Sequence, residues 1–136
     1  MADDLGKILE QATQSWHKRL REALAGQSPP ALGAGAAILE QLAAGALSQT
    51  ELTARLGLSK QAVQQSLDAL EKNGLVARVP DAADRRIRHV QLTAAGQTAA
   101  EARKRAQTAL EDHARAVLGK KELKRLRKSL RVLTEP

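Results

Sequence analysis

The sequence predicts a mainly α-helical protein with one small β-hairpin, and three observations support this fold class. Two short helical segments follow each other between residues 48 and 74, joined by a turn that contains glycine. Two β-prone runs come next, separated by residues typical of turns. Stretches with apolar residues at helical spacing lie on both sides of this central part. A helix-turn-helix with a β-hairpin wing, flanked by terminal helices, accounts for all three.

Two helices are predicted before the central part. Residues 3 to about 25 carry an apolar stripe at helical spacing, and the prolines at 29 and 30 end this helix because they fix the backbone and remove donors. Trp16 lies on the stripe and is expected to anchor a core or an interface, with ligand contact as the alternative. Residues 31–44 form a helix of small residues, with two glycines that weaken its first turn.

The central part begins with a helix-turn-helix. Ser48 and Glu51 form a capping box, in which the Ser48 hydroxyl accepts from the Glu51 amide, and a helix therefore begins here. Gly57 ends that helix, since glycine adopts the left-handed conformation with least strain. Ser59 is a second N-cap, and the next helix runs from about residue 60 to 72.

The second helix of this pair has an apolar side and a polar side. At 100° per residue, the apolar side carries Val63, Leu67 and Leu70. The opposite side carries Gln61, Gln64, Gln65 and Asp68. A glutamine amide offers a donor and an acceptor together to adenine in the major groove, which suits these side chains to base reading. A solvated polar face is the alternative, and the helix alone does not decide between the two.

A β-hairpin wing follows the second helix. Residues 75–79 and 87–92 are β-prone, and the segment between them has turn chemistry. Its tip carries Arg85, Arg86 and Arg88. Guanidinium groups there can enter a narrow minor groove or pair with phosphates, and Asp84 is expected to orient one of them. A charged loop without a binding role is the alternative for Arg85 and Arg88.

Two more helices are predicted after the wing. The first is capped by Thr93 and reaches about Leu118, with a narrow stripe of mostly alanines that would let another helix approach closely. Gly119 ends it, and residues 120–133 form the last helix, with leucines at heptad-like spacing and a lysine or arginine at most other positions. A solvated amphipathic helix is the preferred interpretation of this basic segment, and a nucleic-acid arm is the alternative.

The central half of the chain resembles a known family in the order and spacing of three motifs. The motifs are Leu52 to Ser59, Leu70 to Val76, and Asp84-Arg85-Arg86 followed six residues later by Leu-Thr-x-x-Gly at Leu92 to Gly96. Together they resemble the winged helix of the MarR (multiple antibiotic resistance regulator) family of transcription factors. At Arg88 and His89, where that family more often has apolar residues, a more polar wing is expected.

The resemblance implies a homodimeric DNA-binding regulator, with repression as the commoner behaviour. Residues 1–30 and 97–136 would be the N- and C-terminal dimerisation helices, and residues 31–96 the DNA-binding lobe, all within one domain. An operator with inverted-repeat symmetry is expected for such a dimer. In that family a small-molecule effector often binds between the dimerisation helices and the winged helix. For this chain the effector is unknown, and Trp16 is the aromatic residue available to contact it. The expected DNA contacts are Ser59, Lys60, Gln61, Gln64, Gln65, Asp84, Arg85, Arg86 and Arg88.

The composition narrows the classes of function. The chain has one aromatic residue and no cysteine, so the core is aliphatic, and disulfides, thiolate metal sites and thiol redox switches are excluded. No stretch approaches the roughly 18 apolar residues of a membrane span, and the first residues are acidic, so we expect a soluble, cytoplasmic protein. The net charge of +7 favours a polyanionic partner without distinguishing DNA, RNA and an anionic membrane.

No catalytic grouping stands out in the sequence. The three histidines are far apart, and no zinc-protease pattern or glycine-rich phosphate loop is present. We therefore expect no enzymatic activity, no cofactor and no metal. Two alternatives to a sequence-specific regulator remain open at this point: a winged-helix protein-interaction module, and a nonspecific basic nucleic-acid-binding protein.

Overall fold

The fold is mainly helical with one small antiparallel sheet, as the sequence predicts. A computed structural model describes residues 4–27 and 33–135. The elements of these residues are, in order, α1 (Leu5–Ala23), α2 (Ala34–Leu42), β1 (Leu47–Ser48), α3 (Gln49–Leu56), α4 (Lys60–Lys72), β2 (Val76–Pro80), β3 (Arg88–Leu92), α5 (Ala94–Leu118) and α6 (Lys120–Thr134). The proline pair and the predicted start of the second helix at residue 31 lie outside the described residues.

The chain divides into two compact units. Leu24–Lys104 forms one, called here the winged-helix unit, and it contains α2, the sheet, α3 and α4. Met1–Ala23 and Arg105–Pro136 form the other, called here the terminal-helix unit, and it contains α1 and α6. Helix α5 begins in the first unit and ends in the second. Among the described residues, no helix is both long enough and apolar enough to cross a membrane.

The helix-turn-helix has the predicted caps. The Glu51 amide donates to Ser48 Oγ at 3.1 Å, and the Ala62 amide donates to Ser59 Oγ at 3.0 Å, so that each serine satisfies an amide that the helix leaves unpaired. Gly57 closes α3 with φ 63°, in the left-handed region that favours glycine. Local chemistry therefore fixes where α3 ends and α4 begins.

The sheet has the order β1-β3-β2, with the second strand of the wing in the middle. Val90 of β3 pairs with Arg78 on one side and with Leu47 on the other. Strand β1 was not predicted, because two residues are too few to show the alternation of a strand. Through this short strand the wing is hydrogen-bonded to the residues that begin α3.

The core of the winged-helix unit is aliphatic, in agreement with the composition. Its largest fully buried side chains are Ile38, Leu39, Leu52, Val63, Leu67, Leu70 and Val90. They come from α2, α3, α4 and β3, and Ala99 and Ala100 of α5 complete the cluster. The predicted apolar side of α4 is therefore the buried side, which leaves its polar side toward solvent.

The Leu-Thr-x-x-Gly motif joins the start of α5 to the turn between α4 and β2. The Thr93 amide donates to the Leu75 carbonyl at 3.1 Å, and the Thr93 hydroxyl donates to the Gly74 carbonyl at 2.5 Å. The same hydroxyl accepts from the Gly96 amide at 3.1 Å, which caps α5. A Cβ at position 96 would lie only 1.9 Å from the Leu75 oxygen. The motif therefore needs glycine because two backbone segments meet there.

Candidate nucleic-acid interface

The polar side of α4 is the first part of the candidate interface. Ser59, Lys60, Gln61 and Gln65 are exposed, and Gln64 is partly buried. The start of a helix attracts anions, because its free amides and its dipole both face outward. Lys60 adds a positive charge at this end, and the two exposed glutamines add neutral donors and acceptors, Gln61 in the first turn and Gln65 in the next. The exposed polar surface of α4 is thus able to contact both phosphates and base edges.

Both the oxygen and the nitrogen of the Gln64 side-chain amide are hydrogen-bonded within the protein. Its Oε1 accepts a hydrogen bond from Gln49 Nε2, and its Nε2 donates to Asp68 Oδ1 at 3.2 Å. Sequence reasoning placed Gln64 with the other two glutamines and missed Gln49, the first residue of α3. No local pattern marks Gln49, because it lies at the end of α3 away from the turn and its bond to Gln64 depends on how α3 and α4 pack.

An ion pair joins the polar side of α4 to strand β2. Arg78 Nη2 lies 2.9 Å from Asp68 Oδ1, and the same nitrogen donates to the Gln64 backbone carbonyl at 3.5 Å. The Arg78 side chain is only 10% exposed, whereas that of Asp68 is 58% exposed. Sequence reasoning did not single out Arg78, because its place in a β-prone run does not reveal its partner. Helix α4 and the wing are connected through this pair.

Asp81 organises the loop at the tip of the wing. Its carboxylate accepts from the Ala83 and Asp84 amides, both at 2.9 Å, and lies 2.8 Å from His89 Nε2. The hydrogen bond from His89 is the main reason that the pKa of Asp81 lies below its ordinary value, and the two amide bonds act in the same direction. His89, which departs from the pattern of the resembling family, thus has a defined partner in the hairpin.

Asp84 orients Arg86 at the tip of the wing. Its carboxylate accepts from the Arg86 amide, from Nε and from Nη2, each at 3.0 Å. These bonds, led by those from the guanidinium, lower the pKa of Asp84, and the bonds to the guanidinium raise the pKa of Arg86. The Arg86 side chain is nevertheless 91% exposed. The arginine is held in direction and remains available to a ligand, as the sequence suggested for one of the three arginines.

An open cleft brings α3, the start of α4 and the wing together. It has a volume of about 750 Å³ and includes Ser48, Thr50, Thr53, Lys60, Arg86 and Arg88 in its lining. Three of these side chains are cationic and three carry hydroxyl groups, which are the donors that phosphate oxygens accept from. Arg85 is also exposed but is not part of the lining. Lys60, Arg86 and Arg88, from separate places in the sequence, therefore share one surface.

The terminal-helix unit has an apolar groove of about 670 Å³. Leu9, Ala12 and Trp16 of α1 line it together with Leu123, Leu126, Leu130 and Leu133 of α6. Trp16 is 36% exposed, and Leu5, Val117 and Leu133 are each more than half exposed. The described part of α6 contains no buried residue.

Within residues 4–27 and 33–135 no group of three histidine or carboxylate side chains is placed to hold a metal ion.

Comparisons with known proteins agree with this arrangement. The sequence model of the MarR family matches residues 34–87. The transcriptional repressor CouR, bound to a 23-mer DNA duplex, is 28% identical, with a TM-score of 0.82 over 97% of this chain and 93% of that chain. A probable transcriptional regulator from Pseudomonas aeruginosa is 28% identical, with a TM-score of 0.78 over 96% and 97%. A MarR mutant from E. coli, complexed with operator DNA, shares the fold at 24% identity and a TM-score of 0.77, over 96% and 94%.

No curated protein sequence matches this chain. The family match covers α2, the helix-turn-helix and the wing up to Ile87, and so includes every residue named in the cleft lining except Arg88. The structural matches extend over nearly the whole chain and include both terminal helices. On these grounds the part of the chain that the family model matches, residues 34–87, belongs to the MarR family, and the chain is a winged-helix DNA-binding transcriptional regulator.

Proposed function

We propose that this DNA-binding regulator is a homodimer that recognises an inverted-repeat operator and represses transcription by occupying it. The observation that carries the proposal is the exposed Arg86, held by Asp84 beside the cationic cleft. A guanidinium fixed in this way loses less freedom on binding a phosphate or a narrow minor groove than a free one would. The DNA-bound state of CouR supports the proposal by similarity.

Recognition is assigned to α4 and the wing. Ser59 and Lys60 at the start of α4 bind a phosphate, and Gln61, Gln64 and Gln65 meet base edges in the major groove. Arg86 enters the minor groove or binds its phosphates, and Arg85 and Arg88 add phosphate contacts on either side. Asp84 acts on DNA only through Arg86. The phosphate contacts supply most of the affinity and the glutamines most of the preference between sequences.

Dimerisation is assigned to residues 1–30 and 97–136, and residues 31–96 are the DNA-binding lobe of a single functional domain. The apolar groove between α1 and α6 and the exposed apolar side chains beside it support this assignment, because such a surface rarely stays open to water in a protein that acts alone. A second copy of this chain is the proposed occupant. A two-fold dimer then places its half-sites about 10 base pairs apart, centre to centre.

A small-molecule effector is the alternative occupant of part of this groove, with Trp16 as its aromatic contact. We propose that the protein otherwise acts by binding alone, without catalysis and without a cofactor or metal. Sedimentation of the intact protein at micromolar concentration tests the dimer directly. A monomer that still binds a single half-site tightly would overturn both the dimer and the inverted repeat.

The function is tested by selecting bound sequences from randomised DNA duplexes and then titrating salt. A regulator enriches one inverted repeat and keeps a large ratio between specific and random DNA as the salt concentration rises. A nonspecific binder enriches no sequence and loses affinity on all duplexes together. A protein-interaction module binds neither duplex, and either of the last two results would refute the proposal.

A further inference from the structure

We infer that Asp68 and Arg78 are positioning residues that set the base preference of Gln64, an inference that rests on the proposed function. Neither residue needs to touch DNA in this role. They act by fixing which end of the Gln64 amide is the donor and which is the acceptor. Asp68 lies one turn from Gln64 on α4, and Arg78 reaches both residues from strand β2.

A glutamine amide that is free to turn reads bases poorly. Its oxygen and nitrogen ends have nearly the same shape, so a half-turn of the amide exchanges donor and acceptor at little steric cost. In the major groove adenine offers an acceptor beside a donor, whereas guanine offers two acceptors. A side chain whose donor and acceptor can change places therefore adapts to more than one base edge. A side chain whose amide is fixed prefers one edge in one orientation.

The hydrogen bonds around Gln64 fix its amide in this way. The Asp68 carboxylate can only accept, so the end of the amide that faces it at 3.2 Å must be the nitrogen. The oxygen at the other end accepts from Gln49 Nε2 of α3. Each end keeps one unused position, a second N–H on the nitrogen and a second lone pair on the oxygen. Gln64 thus still has a donor and an acceptor for a base, in an order that the protein has set.

Arg78 holds in place the Asp68 carboxylate that fixes the Gln64 amide. Its Nη2 lies 2.9 Å from Asp68 Oδ1, the same oxygen that accepts from Gln64. A guanidinium stays charged at every physiological pH, and one that is nine-tenths buried requires an anion beside it. Arg78 therefore keeps the half-exposed Asp68 against α4 and prevents it from turning into solvent. The bond from Arg78 to the Gln64 carbonyl holds the same turn of the helix.

The test compares base preferences, using the sequence selected from randomised duplexes and every single base-pair replacement of it. Gln64→Ala should abolish discrimination at one base pair in each half-site, by about 5- to 100-fold for a bidentate contact. Asp68→Asn has the same shape as the native residue but allows the Gln64 amide to turn, because an asparagine can both donate and accept. It should relax discrimination at that same base pair. The double variant should show no further loss.

Two further variants separate positioning from charge and from folding. Glu71→Gln removes the same charge from the exposed surface of α4 and should change the affinity for all sequences alike. Arg78→Lys retains a cation near Asp68 and should keep most of the preference, whereas Arg78→Met should behave as Asp68→Asn does. Thermal unfolding of each variant shows that the winged-helix unit is intact, and Asp68→Asn is expected to fold because its side chain is half exposed.

Two results would overturn the inference while leaving the proposed function standing. In the first, Asp68→Asn changes the affinity for all sequences equally, as Glu71→Gln does. That result would mean that Asp68 acts through its charge alone. The other is relaxation at a base pair different from the one that Gln64→Ala affects. Failure of the native protein to select any sequence would instead refute the proposed function, and the inference with it.

Discussion

Replacement of Gly96 with alanine should destabilise the winged-helix unit, although alanine is ordinarily the better helix former. Gly96 is the third residue of α5, where the exchange would otherwise gain up to about 1 kcal/mol. The new Cβ, however, would lie 1.9 Å from the Leu75 carbonyl oxygen and 2.9 Å from its carbon. Both neighbours belong to the backbone, so no side chain can turn away to make room. We therefore expect the clash to outweigh the gain in helix propensity, so that the variant is less stable than the native protein.

The magnitude follows from the distance that must be regained. A Cβ contact needs at least 3.0 Å, so the two segments must separate by 3.0 − 1.9 = 1.1 Å. Overpacking typically costs about 1 to 3 kcal/mol, and a backbone shift of this size lies in the upper part of that range. The same shift weakens the bond from the Thr93 amide to the Leu75 carbonyl, which contributes about 1 kcal/mol. After the helix gain is subtracted, a loss of about 2 to 3 kcal/mol remains.

Thermal unfolding followed by circular dichroism measures this loss. For a chain of this size the midpoint should fall by about 6 to 10 °C. Gly6→Ala is the matched control, because Gly6 is also helical but its Cβ would meet only the Asp4 carboxylate, at 3.7 Å. That variant should be as stable as the native protein or slightly more so. An unchanged midpoint in Gly96→Ala would show that α5 does not approach Leu75 as closely as described.

Three further predictions concern the wing and the core. Arg86→Ala should weaken DNA binding about tenfold or more in a gel-shift or fluorescence titration. Asp84→Ala, which frees Arg86, should weaken it about 2- to 10-fold. If either variant folds and binds DNA as tightly as the native protein does, an oriented arginine is not inserted into DNA. Leu67→Ala should cost about 2 to 5 kcal/mol in the free energy of unfolding, since the side chain is fully buried, and a native midpoint would argue against the described core. Because the pKa of Asp81 is lowered in the folded state, its contribution to stability is present above the ordinary carboxyl value and is lost as the pH falls below about 4. Amide spectra of the wing should therefore change at acid pH, with His89 among the residues affected, and Asp81→Asn should remove that transition.

The features that the sequence predicted well are those that depend on neighbouring residues. The caps at Ser48 and Ser59 and the left-handed Gly57 follow from residue types within three or four positions of one another, and the structure confirms all three. The apolar side of α4 follows from helical spacing and is buried as expected. The orientation of one arginine by Asp84 was also a local inference, over two residues.

The features that the sequence did not reveal connect residues far apart along the chain. The bonds from Gln49 to Gln64 and from Arg78 to the Gln64 carbonyl span 15 and 14 residues. No periodicity or spacing predicts such a pair, because it depends on how α3, α4 and β2 pack together. The need for glycine at position 96 is of the same kind. The family motif marks the residue, but the approach of the Leu75 carbonyl explains it.

The central position of β3 gives the wing a defined reach. The pair between Ser48 and His89 attaches the hairpin to the residue that caps α3, and the pair between Pro80 and Arg88 is the last before the tip. The number of residues in each strand therefore sets the distance from α3 to the tip, and each residue added to a strand increases it by about 3.3 Å. Lengthening both strands by two residues would extend the wing by about 6.6 Å, roughly one fifth of a DNA helical turn, and keep every side chain on its face. Lengthening them by one would turn the arginines to the opposite face, so the wing can change its reach only in steps of two.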